Sequence, residues 1–121
     1  MSDVWNPPSV TVAAVIEREG RFLVVEEEYD GARVLNQPAG HLDPGEGLVA
    51  ACARAVLEAP AHRFVPELLI GIYRWVYPPR GITFLRFTFA GRLEGMDAGR
   101  ALDKEIIATH WLTRTELVAK T

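Results

Sequence analysis

One run of strong helix formers, in a chain otherwise rich in strand-forming residues, constrains the fold more than any other feature. Residues 48–59 contain Leu, Val, Ala, Cys, Arg and Glu without Gly or Pro, and Pro60 ends the run. The preceding residues, 38–47, include three Gly and two Pro, a composition typical of a loop. The sequence therefore predicts a glycine-rich loop that leads directly into a helix.

Strand-like segments occupy most of the remaining chain, as shown by β-branched residues and by period-2 alternation of apolar and polar side chains. The predicted strands are residues 9–16, 21–25, 34–37, 68–76, 82–93 and 106–112. Thr113, with Glu116 three residues later, forms a capping-box pattern that predicts a short last helix. This order predicts an α+β fold, an α/β/α sandwich in which a mixed sheet lies between helices. We expect residues 1–121 to form a single domain. The last predicted helix is short for a stable helix, which fits a chain trimmed at its C-terminal end.

The bulk properties exclude several classes of function. A net charge of −3 argues against broad electrostatic binding of nucleic acid. The single Cys52 cannot form an internal disulfide. The chain has no apolar run near the roughly 20 residues that span a bilayer, and its N-terminus lacks the pattern of a signal peptide. We therefore expect a cytoplasmic protein with no nucleic-acid or membrane partner, in an oligomeric state that the sequence leaves undetermined.

The loop and the helix together have the form of a metal-binding segment with missing ligands. On a helix with about 3.6 residues per turn, positions 55, 58 and 59 lie within a sector of about 100°. Three carboxylates there would hold a hard divalent cation such as Mg²⁺ against a diphosphate. Only Glu58 is acidic, because Ala55 and Ala59 occupy the other two positions.

This segment resembles the Nudix box, the signature of a family of diphosphate hydrolases. The box runs Gly, five residues, Glu, seven residues, and then Arg-Glu-apolar-any-Glu-Glu-any-Gly-apolar. The residues that match at the correct spacings are Gly40, Glu46, Arg54, Val56 and Glu58. The segments outside the box that look like the NudJ branch of the family are residues 22–27, 36–42, 84–87 and 103–106, with Trp111. The chain is identified as a member of the Nudix family on these residues.

The resemblance implies Mg²⁺-dependent attack of water on a small diphosphate compound. For the NudJ branch it implies nucleoside di- and triphosphates and the pyrophosphate of a thiamin-precursor pyrimidine. By position, Glu58 would bind the metal and Gly40 would offer its carbonyl oxygen. Arg54 and Glu46 would pair and support the junction of loop and helix, and Glu105 would be an extra metal ligand or base. The alternative for Glu58 is a solvated helix residue that pairs with Arg54.

The departures from the box bear directly on the chemistry. Ala55 and Ala59 replace the two Glu that complete the metal cluster in this family. Glu58 and Glu105 alone would hold Mg²⁺ or Mn²⁺ weakly, since such an ion depends on the substrate's phosphates. A loss of about 3 kcal/mol of transition-state stabilisation lowers a rate more than a hundredfold. We therefore expect the activity of this sequence to be severely reduced or absent.

Two origins of the alanines fit the sequence. One is a natural pseudoenzyme, and the other is a true hydrolase altered by deliberate substitution or by recent degeneration. We favour the second, because alanine is the usual replacement in deliberate substitutions. Three functional hypotheses stay open: an impaired hydrolase, a non-catalytic nucleotide-binding module that keeps the pocket, and a purely structural or partner-binding domain.

Candidate substrate-binding residues lie outside the box. Arg74 and Trp75 are on one predicted strand and Arg86 is on the next. An aromatic ring beside cations suits a base or pyrimidine ring held near its phosphates. The alternative is that Trp75 packs on the edge of the sheet. His41, in the loop, is a further candidate for substrate contact.

Overall fold

A computed structural model describes residues 7–29, 31–58, 62–96 and 106–120. Within these ranges the chain forms strands and two helices, and neither helix is long and apolar enough to cross a membrane. In chain order the elements are β1 (Ser9–Val15), β2 (Glu17–Arg18), β3 (Arg21–Tyr29), β4 (Ala32–Asn36), β5 (Ala39–His41), α1 (Leu48–Glu58), β6 (His62–Tyr77), β7 (Ile82–Met96), β8 (Ile106–Thr113) and α2 (Arg114–Lys120).

The first sheet has four strands in the order β5-β1-β7-β6. β1 lies inside it, antiparallel to β5 and parallel to β7, while β6 and β7 form a long antiparallel hairpin. The central place of β1 explains its composition, because Val12, Ala13 and Ala14 are all buried, as expected of a strand covered on both faces. The sheet is mixed, which confirms the prediction from the sequence.

The second sheet is built around β3. β8 pairs with one edge of β3, from Arg21 to Glu27. β2 and β4 share the other edge, with β2 at the start of β3 and β4 from Val25 onward. The α+β class predicted from the sequence is therefore confirmed, and the structure adds that the strands are divided between two sheets.

α1 packs on the first sheet through small side chains. Ala51, Cys52, Ala55 and Val56 recur with the helical period and are at most 3% exposed. They join the buried residues of β1 and β7 in the hydrophobic core. Because most of these side chains are short, the helix lies close to β1, and the Sγ of Cys52 donates to the carbonyl oxygen of Ala13 at 3.4 Å.

Three segments of the first sheet differ from their predicted structure. Residues 38–47, predicted as a loop, contain β5, which pairs with β1. β6 begins at His62 and not at residue 68, and its first part contains register shifts in the pairing with β7. β7 continues to Met96, past its predicted end at residue 93. In each case a strand partner distant in the sequence supplies hydrogen bonds that local composition does not reveal.

The capping box predicted at the start of the last helix is present. The backbone N–H of Glu116 donates to Oγ1 of Thr113 at 3.2 Å, and the backbone N–H of Thr113 donates to Oε1 of Glu116 at 2.9 Å. These bonds satisfy donors that the first turn of a helix leaves without partners. Glu116 also lies 3.4 Å from the guanidinium of Arg21, so the cap connects α2 to the second sheet.

Thr113→Ala should remove one capping bond and lower the free energy of unfolding by about 1 kcal/mol. Thr115→Ala makes the same substitution at an exposed position of α2 and should change it by less than about 0.5 kcal/mol. Urea-induced unfolding followed by circular dichroism measures both values. Equal values for the two variants would show that the cap adds nothing to stability.

Candidate active site

A single arginine holds the glycine-rich loop against α1. Arg54 donates from Nε to Oε2 of Glu46 at 2.8 Å and from Nη2 to Oε1 of Glu46 at 3.0 Å. The same Nη2 donates to the backbone carbonyl of His41 at 2.7 Å and lies 3.5 Å from Oδ2 of Asp43. Only arginine presents two parallel donors to a carboxylate in this way. The structure thus brings together the pair that the resemblance implies.

Glu46 is held as a carboxylate by this arrangement. Hydrogen bonds from Arg54 lower the pKa of Glu46 below its ordinary value of 4.5, while desolvation acts in the opposite direction. The backbone N–H of Asp43 adds to the lowering and donates to Oε1 of Glu46 at 3.2 Å. The N–H of Glu46 in turn donates to the carbonyl oxygen of Asp43 at 3.1 Å. The loop is therefore closed on itself and tied to the middle of α1.

Gly40 and Ala55 are in direct contact between β5 and α1. A Cβ added to Gly40 would lie 3.0 Å from the Cβ of Ala55, so the absence of a side chain at position 40 lets the helix approach the strand. Ala55 is 3% exposed and belongs to the hydrophobic core. The position where the box has a glutamate is thus filled by a methyl group packed on the backbone of β5.

The described residues do not complete a metal site. Within the ranges that the structure describes, no three His, Cys, Asp or Glu side chains come together as ligands for a metal ion. Glu58 is the last residue of α1, and Ala59 and Glu105 lie outside the described residues. On the face of α1 that meets Gly40, Ala55 offers no ligand atom. Of the ligands that the resemblance implies, the described part of the chain therefore shows the backbone of Gly40 but not the side chains of Glu58 and Glu105.

A second group of residues lies on the face of the first sheet that points away from α1. Arg86 pairs in register with Thr11 of β1 and with Tyr73 of β6, and Phe84 pairs with Trp75. Residues opposite one another in neighbouring strands point to the same face, so these side chains share one surface. A cavity of about 310 Å³ opens on it, lined by Val15, Gln37, Ile70, Tyr73, Trp75, Arg86 and Thr88.

Arg86 is at the centre of this surface. Its guanidinium carbon lies 5.4 Å from the centroid of the Trp75 ring, which stacks on Phe84 with ring centroids 5.1 Å apart. Burial lowers the pKa of Arg86 from its ordinary value, and the negative charge of Glu27 opposes that shift. The Nε of Arg86 and the Oγ1 of Thr88 are buried without a hydrogen-bond partner. Such atoms are unfavourable in a folded protein, so a ligand or a water molecule bound beside them would gain hydrogen bonds.

A larger cavity of about 590 Å³ adjoins the first. The two cavities share Val15, Gln37 and Arg86, and we refer to them together as the sheet cleft. The other walls of the larger cavity come from β1, β3, β4 and α2. They include Phe22, Leu23, Val24, Leu35, Asn36, Arg114 and Leu117. Mainly apolar walls with a few polar groups are typical of sites for small organic ligands.

The structure brings three of the four predicted substrate-binding residues onto one face. His41 pairs in register with Thr11, and Thr11 pairs with Arg86, so His41 lies on the same face as Arg86 and Trp75. The side chain of His41 is exposed there. Arg74 is the neighbour of Trp75 on β6, so its side chain points to the opposite face and does not join the group.

Gln37 and Thr88 line the sheet cleft and are absent from the residues predicted from the sequence. Thr88 follows Arg86 by two residues, so the alternation along β7 was a signal that both lie on one face. Gln37 had no such signal, because it reaches the cleft only through the pairing of the segment around Pro38 with β1. The backbone N–H of Ala14 donates to the carbonyl oxygen of Pro38 at 2.9 Å.

Cys52 is a core residue and not a nucleophile. It is 0% exposed, and burial raises the pKa of its thiol to about 12. A thiol that remains protonated does not react as a nucleophile.

Comparison with known proteins identifies the class that these features define. The NUDIX domain family matches residues 5–121, and the chain belongs to this family. By family it is therefore a Nudix phosphohydrolase, an enzyme of the pyrophosphatase type. This confirms the resemblance stated from the box and the α+β fold expected from it.

Individual relatives agree with this assignment. Phosphatase NudJ of Escherichia coli K12 is 40% identical over 111 residues, which are 92% of this chain and 72% of NudJ. A NUDIX hydrolase from Nitrosomonas europaea is 50% identical, with 94% of this chain and 78% of that chain covered and a TM-score of 0.90. The MutT protein from Methanosarcina mazei Go1, 22% identical with 98% and 86% covered and a TM-score of 0.77, shares the fold. The likeness to the NudJ branch is thus confirmed.

Glu46→Gln should remove a pH-dependent part of the stability. Because the folded pKa of Glu46 is below 4.5, this carboxylate stabilises the wild type fully above that pH and progressively less as the pH falls through the folded value. The thermal midpoint of the variant should therefore be lower at neutral pH, and the difference should shrink in acid. Differential scanning calorimetry from neutral to acid pH measures it.

Glu67→Gln is the matched control for that substitution. Glu67 pairs with Arg92 at 2.7 Å, but both side chains are at least half exposed, and exposed ion pairs add little stability. Its thermal midpoint at neutral pH should fall by less than that of Glu46→Gln. A deficit of Glu46→Gln that stays constant down to acid pH would contradict the role assigned to this carboxylate.

Proposed function

We propose that this chain binds a nucleotide-like diphosphate compound in the sheet cleft and hydrolyses it weakly. The observation that carries the proposal is the contrast between the two faces of the first sheet. On one face, Arg86 Nε and Thr88 Oγ1 lack hydrogen-bond partners inside a cavity. On the other face, Ala55 is packed on Gly40 where the box has a carboxylate. The face with the cavity therefore has polar groups that can bind a ligand, whereas the face under α1 lacks a carboxylate that the metal site of the box contains.

The proposed site for the ring of the substrate is the wall formed by Trp75 and Arg86. An aromatic heterocycle would stack on the indole ring or on the guanidinium plane. It would accept hydrogen bonds from Arg86 Nε and Thr88 Oγ1, while the amide of Gln37 can both donate and accept. Nucleobases and the thiamin-precursor pyrimidine have these properties. The proposed substrates are therefore nucleoside di- and triphosphates or a pyrimidine pyrophosphate.

The diphosphate is proposed to extend from Arg86 toward β5. His41 and Arg86 are separated by Thr11 in one row across the sheet, so they lie two strand spacings apart, on the order of 10 Å. That distance is comparable with the distance from a nucleobase to its second phosphate. Gly40, the neighbour of His41, would then present its backbone to the phosphates beside α1.

Nudix hydrolases generally need a divalent metal such as Mg²⁺, and for this chain we propose a weakly held Mg²⁺ or Mn²⁺. The proposed ligands are Glu58, Glu105 and the carbonyl oxygen of Gly40. A metal there would polarise the diphosphate and acidify water. With so few protein ligands the ion would depend on the phosphates of the substrate. Metal affinity measured without substrate is therefore expected to be low.

The other residues of the box are proposed to position the loop. Arg54 and Glu46 bond to each other and to the loop backbone, so they hold Gly40 and His41 in place. Glu105 or Glu58 is the proposed base for the attacking water. Ala55 stands where the box has a carboxylate. We therefore propose a loss of about 3 kcal/mol or more of transition-state stabilisation, which lowers the rate more than a hundredfold.

A second candidate function is a non-catalytic module that binds a nucleotide. The observation that favours it is the burial of Ala55, which contributes packing to the core. In such a module the ligand would bind without metal, and glutamates introduced into the box would produce little turnover.

Ala55→Glu combined with Ala59→Glu should produce Mg²⁺-dependent phosphate release at least about a hundredfold faster than in the wild type. The measurement is release of inorganic phosphate from a panel of nucleoside di- and triphosphates. Activity in neither protein would favour the binding module. Equal activity in both would show that Glu58, Glu105 and backbone groups suffice, and would refute the proposed impairment.

Thermal stability supplies the control for this experiment. A glutamate at the buried position 55 should lower the thermal midpoint in EDTA, because a buried carboxylate without a partner is unfavourable. Added Mg²⁺ should restore part of the loss, since binding to the folded state stabilises it. Ala50→Glu adds the same charge on the exposed side of α1, and its stability and activity should respond to Mg²⁺ no more than those of the wild type.

Arg86→Met should weaken the binding of uridine diphosphate, measured by calorimetric titration without metal. A hydrogen bond from a charged group contributes about 1.5–3 kcal/mol, so affinity should fall roughly 10- to 100-fold. Arg80→Met, in the exposed turn between β6 and β7, is the matched control and should keep the wild-type affinity. Unchanged affinity in Arg86→Met would place the ligand outside the sheet cleft.

A further inference from the structure

β6 is a long strand with one open edge. It spans His62–Tyr77, whereas a typical strand has about 5–6 residues. β7 covers one edge of β6 along its length, and in the described part of the chain no strand pairs with the other edge. The backbone N–H and C=O groups of an open edge are the groups with which a further β-strand pairs.

Large apolar side chains are exposed along the same strand. They are Leu68, Leu69, Ile70, Ile72, Tyr73, Trp75 and Val76. Because neighbouring side chains alternate between faces, both faces of β6 are apolar. That pattern is typical of a strand inside a larger sheet and not of a strand at the edge of one.

The second half of β6 lacks the features that usually keep edge strands from pairing. Those features are charges, prolines and bulges. The register shifts of β6 all lie before Ile72, and the pairing from Ile72 to Tyr77 is regular. Arg74 is the only charged residue between positions 68 and 77, and this stretch contains no proline. The edge is therefore chemically open to another strand.

We propose that a second copy of this chain covers this edge, with β6 antiparallel to β6 of the partner. An open edge with apolar residues on both faces requires a partner strand that is itself apolar on both faces, and β6 meets this requirement. A two-fold axis perpendicular to the sheet makes the two strands antiparallel and gives both copies the same contacts. The two first sheets then join into one continuous sheet.

The charge of Arg74 restricts the register of this pairing. An axis at Arg74 would place two arginines directly opposite each other, which is destabilising. An axis at Trp75 places Arg74 opposite the partner's Val76 and Trp75 opposite the partner's Trp75. Directly opposed aromatic side chains stabilise a strand pair. We therefore assign the axis to Trp75.

The exposed apolar area is that of an interaction surface. The seven side chains named above are between 39% and 62% exposed. Together they leave on the order of 600 Å² of apolar surface, as large as the largest patches on typical monomers. If both copies buried all of it, on the order of 1,200 Å² would be removed from solvent, the lower limit for a specific stable interface.

The second copy would also complete the sheet cleft. Ile70, Tyr73 and Trp75 line its smaller cavity and are exposed. With the axis at Trp75, the partner's Tyr77 lies opposite Tyr73, so the wall beyond Arg86 is built from two chains. This consequence for ligand binding rests on the proposed function, whereas the pairing of the two strands does not.

Sedimentation equilibrium over a wide range of protein concentrations tests the pairing. The wild type should sediment with twice the mass of the chain. Val76→Lys places a lysine opposite the partner's Arg74, so it should dissociate the dimer into monomers. Val76→Glu places an opposite charge there and should keep the dimer. Val34→Lys, a lysine at another exposed valine of a strand, is the control for the added charge and should remain dimeric.

Each other outcome counts against the proposal. A monomeric wild type at all concentrations overturns it, and a dimer that persists in Val76→Lys shows an interface elsewhere. Dissociation in Val76→Glu as well as in Val76→Lys overturns the register at Trp75. Circular dichroism checks that each variant is folded, since all the substituted side chains are exposed in the single chain.

Ligand binding separates this inference from the proposed function. If the partner completes the sheet cleft, Val76→Lys should bind uridine diphosphate severalfold more weakly than Val76→Glu. A wild type that dimerises as expected but binds no nucleotide would refute the proposed function and leave the pairing in place. Equal affinity in the two variants would refute the shared wall.

Discussion

The close packing of α1 on β5 and β1 is the constraint on which both surfaces of the molecule depend. At its centre Gly40 meets Ala55, and Arg54 bonds across this contact to Glu46 and to the carbonyl oxygen of His41. Gly40 and His41 are adjacent residues of one strand, so one faces the helix and the other lies on the face of the sheet that bears the sheet cleft. The bond from Arg54 to His41 therefore fixes the backbone between the two faces.

The two faces of the first sheet differ in whether they contain buried polar atoms that lack a hydrogen-bond partner. The face under α1 is filled by small apolar side chains, including Ala55, at close to zero exposure. The other face has two buried polar atoms without a hydrogen-bond partner, Nε of Arg86 and Oγ1 of Thr88. Burial without a partner disfavours both groups. In the proposed function a ligand supplies these bonds, which is why recognition is proposed on this face.

The proposed dimer and the proposed ligand site both involve the open edge of β6. Tyr73 and Trp75 belong both to the wall of the cleft and to the exposed apolar strip along the strand. A strand that pairs with β6 would therefore lie beside the wall of the cleft. In this arrangement dimer formation would favour ligand binding and ligand binding would favour dimer formation, because both involve the same surface.

Features with a local signature were predictable from the sequence. The run that becomes α1 followed from its composition, and the Thr113–Glu116 capping box followed from a spacing of three residues. The pairing of Arg54 with Glu46 followed from the match to the box. Features that depend on register were not predictable. β5 exists only because β1 is beside it, and Arg74 points away from Trp75 because a shift of one residue reverses the face of a strand.

The sequence by itself determined membership of the Nudix family, the position of the helix, and the presence of alanine in place of glutamate at two positions of the box. These are properties of residue order that no packing can alter. Only the tertiary structure decided that Ala55 is buried against Gly40, that Gln37 and Thr88 meet Arg86 in one cavity, and that β6 has an edge with which no strand of the described residues pairs. The physical reason is that β1 and β7 pair in register although Thr11 and Leu85 are 74 positions apart, and no local pattern encodes that register.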